Sequence, residues 1–226
     1  MALVKLEMYN ALLEKHLRRS LIKACYESIL HNDAAHNVDH VFNVCRYGLQ
    51  LTQGNVSAHD RSIILAGCLM HDLGCRYNRE NHHVISFGLA FKMLDEYATG
   101  MFDEEDALTI ATTCLEHRAS WDKPRSSYQS DYVALADRGE PNLDEMIRRC
   151  IVFRMAGDQP RITEDLKKEV FEHMQEKCGT NGYMWKSYPG IGWEINKNLI
   201  QNICRIVDDR VALMQCIDRV YATYYP

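Results

Sequence analysis

The sequence predicts an all-α protein, on three observations. Apolar residues recur at three- and four-residue steps through nearly every long segment. Helix start and stop signals flank several of those segments. No stretch has a convincing strand alternation, and there is no internal repeat.

Residues 2–30 read as one helix, with Leu6, Tyr9, Leu13, Leu17, Leu21 and Cys25 on its stripe, ended by the HND of His31–Asp33. A second helix runs from about Asn37 to Gln53, carries Val41, Val44 and Cys45, and stops at Gly54-Asn55. Ser57 with Asp60 three residues on marks the start of a third. This helix carries Ile63, Ile64, Leu65, Ala66, Leu69 and Met70 into His71-Asp72, and its apolar character all round places it centrally. After a polar break at Arg76–Asn81, a fourth helix begins near His82, with Val84, Phe87, Phe91 and Leu94 on one stripe. Asp103 caps a fifth, whose inward face (Ala107, Ile110, Ala111, Cys114, Leu115) closes with His117 pointing inward. A loop over Arg118–Ser127 leads to a short segment ending at Ala136-Asp137. Helices follow at about 142–155 and 163–178, the second capped by Thr163 and ended by Gly179. Residues 179–193, rich in Gly and aromatics, read as the one long irregular stretch, a packed loop in preference to a lid or a dimer contact. One long last helix then spans about 194–222.

With 226 residues and no flexible linker, the expectation is a single domain over 1–226. Its motif-bearing core covers about 20–140, and a helical extension covers 141–226. A net charge of −5 argues against an extended nucleic-acid surface. The nine cysteines are odd in number, dispersed and without a CxxC pair, which fits buried thiols in a reducing compartment. No signal-like N-terminal run and no apolar run of about 20 residues occurs, so a cytoplasmic protein without a membrane span is expected. The last helix offers a face for a homodimer.

The chemistry starts at LAGCLMHDLGC, Leu65–Cys75. A His-Asp pair closing an apolar run is costly unless the carboxylate finds a partner. A divalent metal ion provides one, because it accepts an imidazole nitrogen and a carboxylate oxygen together. His40 upstream and Asp137 downstream complete two imidazoles and two carboxylates, a donor set suited to Mn, Fe, Co, Ni, Zn or Mg.

This H…HD…D order lies in a specific setting: HNVDHVFNV upstream, LG after the pair, VALADR downstream. It resembles the HD-domain superfamily of metal-dependent phosphohydrolases over about residues 20–140. The resemblance implies an HD-domain helical bundle with additional C-terminal helices, and His40, His71, Asp72 and Asp137 as metal ligands. His82, in HHVISFGLAFKML, and His117, in TIATTCLEHR, extend the order to H-HD-H-H-D. That order is similar to the dinuclear subset, in which a bridging Asp holds two ions and the added histidines bind the second. Asp72, His82 and His117 are thus the catalytic candidates; either histidine could instead hydrogen-bond a ligand or contact phosphate. His83 rivals His82 by register, and the four-residue step to Ser86 favours His82. His36, one helical turn before His40, is read as a substrate contact, although HxxxH is also a zinc spacing. His16, His31, His59 and His173 sit in polar surroundings and read as surface residues.

Many HD enzymes carry Lys three residues after the Asp, where this chain has Cys75. Arg76, Arg79, Arg118, Lys123, Arg125 and Arg138 could supply the phosphate contact instead, Arg118 first among them. Trp121–Ser127 could close over a base or sugar. The resemblance therefore implies hydrolysis of a nucleotide or related small phosphoester by a metal-activated water, with one or two ions bound. The same ligand order also permits a mixed-valent di-iron oxygenase cleaving a C–C or C–P bond. A non-catalytic metal-stabilised binding module is the third reading.

Overall fold

In a computed structural model, which describes residues 2–33, 35–155, 163–186 and 188–224, the chain is all-α. Among these residues there are twelve α-helices, one 3-10 turn and no strand. No described helix is long and apolar enough to cross a membrane. All nine cysteines are free thiols. The helices form two compact units, Met1–Gly139 and Glu140–Pro226, dividing where the motif-bearing stretch ends.

The first unit contains α1 (Ala2–Leu13), α2 (Arg19–Ile29), α3 (Val38–Leu51), α4 (Ala58–Met70), the 3-10 turn Leu73–Arg76, α5 (His82–Tyr97), α6 (Glu104–Glu116) and α7 (Tyr128–Arg138). Its centre is α4, against which α3, α6 and α7 pack. Every residue of α4 from Ile63 to Met70 is buried, as an all-round apolar helix requires. Side chains cap the starts: Asn37 for α3, Ser57 for α4, Ser127 for α7, and a reciprocal Asp103–Asp106 box for α6.

Two expectations are corrected in this unit. The helix read over residues 2–30 is two helices, α1 and α2, and the turn between them buries both Leu13 and Leu17. Apolar spacing alone runs through such a turn without registering it. On α5 the buried face is His82, Ser86, Ala90 and Leu94, whereas Val84 and Phe91 of the expected stripe are exposed. The face is set from the 3-10 turn, whose Gly74 backbone N–H donates to Ser86 Oγ at 2.9 Å.

The second unit contains α8 (Leu143–Met155), α9 (Thr163–Cys178), α10 (Tyr183–Lys186), α11 (Gly190–Asp208) and α12 (Arg210–Tyr224). Here the single last helix is corrected to two. Asp209 adopts extended backbone, and its Oδ1 accepts from the Val211 and Ala212 amides at 2.9 and 3.1 Å, starting α12 anew. The stretch 179–193 is also more regular than expected, since it holds α10 and the first turn of α11; Ser187 lies outside the described residues.

Two glycines permit the close approaches that assemble the first unit. A Cβ on Gly67 would lie 2.3 Å from Thr113 Oγ1 and 2.9 Å from Val133 Cγ2, so α4 meets α6 and α7 there with no room for a methyl group. A Cβ on Gly74 would lie 2.2 Å from the His82 carbonyl oxygen, so the 3-10 turn touches the start of α5 directly. Gly67→Ala should therefore lower unfolding free energy by about 1–3 kcal/mol, the overpacking range. Gly88→Ala, mid-helix on α5 with nothing within 4 Å, should raise it by about 0.5–1 kcal/mol. Urea melts of both variants check this, and a neutral Gly67→Ala would refute the tight crossing.

Candidate metal centre

His71 and Asp72 emerge from the buried end of α4, and their side chains are 0 and 2% exposed. His40 comes from the first turn of α3, His82 from the start of α5, His117 from the C-terminal cap of α6, and Asp137 from the last turn of α7. The ends of five helices thus converge on one cluster. Three of the imidazoles are held alike. The Nδ1 atoms of His71, His82 and His117 lie 2.8, 2.6 and 2.7 Å from the carbonyl oxygens of Cys68, Arg79 and Cys114, each three residues earlier. A carbonyl only accepts, so each Nδ1 carries a proton and each Nε2 faces inward as the ring atom able to bind a cation.

The two oxygens of Asp72 serve different histidines. Oδ2 lies 3.1 Å from His71 Nε2 and 3.4 Å from His40 Nε2. Oδ1 lies 3.4 Å from His82 Nε2 and 3.6 Å from His117 Nε2, and those two nitrogens are 3.1 Å apart. Asp137 Oδ1 joins the first group, 3.2 Å from His40 Nε2 and 3.6 Å from His71 Nε2. Metal–ligand bonds of about 2.0–2.2 Å place neighbouring donors about 3–3.5 Å apart, the spacing these atoms have.

Hydrogen bonding does not account for the arrangement. His40 Nε2, His71 Nε2 and both Asp72 oxygens are buried without a hydrogen-bond partner. Buried polar atoms left so are rare and costly. Donor types, spacing and orphaned atoms all fit a cation. The cluster could hold a metal ion, and two of its three-donor groups, His40–His71–Asp72 and Asp72–His82–His117, share Asp72.

The charge state of the cluster follows from the same contacts. Burial alone would lower His71 and raise Asp72, but the opposed charges prevail. The Asp72 and Asp137 carboxylates hold His71 well above the ordinary imidazole range. His40 is raised too, against its own desolvation, by Asp137 and Asp72. Asp72 and Asp137 are held well below the carboxylate range by the facing histidines, against the burial that would raise them. His82 differs: burial dominates and pushes it down to about 4.

The remaining candidates scatter. The α5 register that sends His82 into the cluster turns His83 to Arg118, 3.4 Å between Nδ1 and Nη1. Arg118 also donates to the Glu80 carbonyl at 2.8 Å. His36 lies beside the cluster, its ring 6.0 Å from His40 and 5.9 Å from His82. Arg125 is engaged elsewhere: its Nε donates to the Glu116 carbonyl at 3.2 Å, and its Nη1 lies 3.5 Å from Asp131. Lys123 is exposed over the Trp121 ring, and Arg79 is exposed at 3.9 Å from Asp33. Arg76 lines a separate groove of about 490 Å³ between α2 and α5, with Lys23, His31 and Lys92. Arg138 donates to the Ala134 carbonyl at 3.2 Å.

Two participants escaped sequence reading. Asp33, taken only as part of a helix break, accepts from His36 Nδ1 at 2.8 Å; its signal is the three-residue step between them. Cys75, noted only for replacing Lys, joins His36 and Asp72 in a third group of converging donors.

No family model matches the chain, and no curated protein or solved structure matches it.

Because the carboxylates hold His71 and His40 above the ordinary imidazole range, both keep protons that a cation must displace. Cation affinity should therefore rise as pH rises through and beyond the ordinary imidazole range, with net proton release on binding. Calorimetry of Mn(II) binding in two buffers of different ionisation enthalpy measures that release, and proton-neutral binding would contradict the assignment.

Proposed function

We propose that the chain is an HD-type metal-dependent phosphohydrolase acting on a nucleotide or a related small phosphoester. The observation that carries the reading is Asp72, whose Oδ2 faces His40 and His71 while Oδ1 faces His82 and His117. A carboxylate divided in this way suits a bridge between two cations, with Asp137 completing the first set. The resemblance of the H-HD-H-H-D order to dinuclear HD proteins supports the same division. Bound divalent ions supply a water of lowered pKa and offset charge on phosphoryl oxygens.

The chain's own residues do the rest. The carbonyls behind His71, His82 and His117 fix which ring nitrogen faces inward. Arg118, beside His117 and tied to the Glu80 carbonyl, brings a guanidinium suited to two phosphate oxygens at once. His83 sits against that guanidinium. A cytoplasmic location accords with nine free thiols.

Release of phosphate or pyrophosphate from a panel of nucleotides and small phosphoesters, with Mn, Co, Ni or Mg added, tests the proposal. Asp72→Ala should reduce release by more than about a hundredfold, beyond the cost of disturbing a residue behind a ligand. Undiminished release in that variant would sink the reading. No release from any substrate, with bound iron and substrate-dependent oxygen uptake, would replace hydrolysis by oxygenase chemistry.

Arg118→Ala should raise KM about tenfold with kcat largely kept, a loss of about 1.4 kcal/mol of uniform binding. An unchanged KM would clear Arg118 of substrate contact.

A further inference from the structure

We propose that His36, Cys75 and Asp72 form an additional cation subsite, of thiolate–imidazole–carboxylate type, that takes a thiophilic divalent ion such as zinc or cadmium. It depends on the metal-centre reading only through Asp72.

Each of the three residues offers one ligand atom, and the three atoms lie within 4.8 Å of one another. Two of the residues are buried, Asp72 at 2% and Cys75 at 7% exposure. Asp72, shared with the main centre, brings buried oxygens that have no hydrogen-bond partner. Both of those oxygens also face the main-centre histidines, so a cation held here draws on the same carboxylate.

The surroundings hold His36 as a ligand is held. Its Nδ1 lies 2.8 and 3.0 Å from the two Asp33 oxygens, which leaves Nε2 as the ring atom able to bind a cation. A carboxylate behind an imidazole is the common support of metal-binding histidines. Asp33 is fixed in turn by the Ala35 and His36 amides at 2.8 and 3.1 Å. Asn32 Nδ2 donates to the carbonyls of both His36 and Asp72 at 3.0 Å, joining the two ends of the subsite. Cys75 is placed from the same 3-10 turn, its amide donating to the Asp72 carbonyl at 3.1 Å.

Donor chemistry decides the occupant. The main centre offers only nitrogen and oxygen, which magnesium and manganese accept. A sulfur donor shifts preference toward softer ions. Binding breaks the Cys75 S–H bond, forms a sulfur–metal bond and releases the proton to solvent. Because Asp72 serves both positions, an ion here competes with the main centre for that carboxylate.

The full-length metal-free protein titrated with cobalt(II) reads the subsite directly, through the near-ultraviolet sulfur-to-cobalt charge-transfer band. The wild type should show the band and Cys75→Ser should lose it. Asp33→Asn should keep it with cobalt affinity lowered about 10- to 100-fold. A wild type that binds cobalt without the band, or a Cys75→Ser variant that keeps the full band, overturns the subsite and leaves the main centre standing. No cobalt bound at all overturns both. Were Cys75→Ser to unfold, His36→Gln decides: the affinity read from the band falls, and an unchanged affinity overturns the proposal. Cadmium added to Mn(II)-loaded protein should release manganese, detected by paramagnetic resonance, at a concentration about tenfold lower for wild type than for His36→Gln. Equal release overturns the competition.

Discussion

The Asp72 carboxylate is the constraint on which the first unit depends. It is buried to 2% exposure, and an ionised carboxylate taken from water costs several kcal/mol unless opposite charge replaces the solvent. Four imidazoles from four separate helix ends face it, and His40 and His71, drawn toward their protonated forms, supply that charge. They can converge only because the elements beneath them approach closely. Gly67 lets α4 meet α6 and α7 one turn before His71, and Gly74 lets the 3-10 turn touch the His82 backbone. Packing energy elsewhere in the unit, above all the continuous burial of Ile63–Met70, therefore offsets an arrangement unfavourable by itself.

The two sides of that carboxylate are electrostatically unlike. On the Oδ2 side a second carboxylate, Asp137, draws His40 and His71 toward their protonated forms. On the Oδ1 side Asp137 reaches only His117, with which it and His71 form a further donor group, and burial pushes His82 toward the neutral form. On the first side His40 and His71 would give up protons to a bound divalent ion. On the second side His82, favouring its neutral form, would offer a lone pair without losing a proton. The ring that favours the neutral form is therefore also one whose Nδ1 proton is fixed by a carbonyl, so its Nε2 faces Asp72 unprotonated.

What the sequence disclosed follows from which interactions are local. A His-Asp pair after an apolar run is legible because the anomaly, charge following burial, lies within a few residues. Ser57, Asp103 and Gly179 are legible for the same reason, since capping acts over one turn. The α5 face was not, because Val84, Phe87 and Phe91 form a stripe that satisfies periodicity while the true face is chosen by a contact twelve residues away, Gly74 to Ser86. The breaks between α1 and α2 and between α11 and α12 contain neither Pro nor Gly. Asp209 did carry a cap signal, masked by Asp208 before it and by apolar spacing that continues across it. The wider framework was readable as all-α because periodicity survives such breaks.

Nearness in sequence served least well for the cations. Arg76, Arg79, Lys123 and Arg125 each lie within a few residues of a candidate ligand or of its loop, yet their contacts are with Ser28, Asp33, Trp121 and Asp131. A helix end turns successive side chains about 100° apart, so a neighbour of an inward residue usually points elsewhere. Arg118 differs because its contacts cross elements. It follows His117 at the end of α6 and donates to the Glu80 carbonyl, two residues before His82 opens α5. Its guanidinium thus bridges the two helix ends that deliver the Oδ1 side of Asp72, and with His83 against it the positive group is held at that side of the cluster.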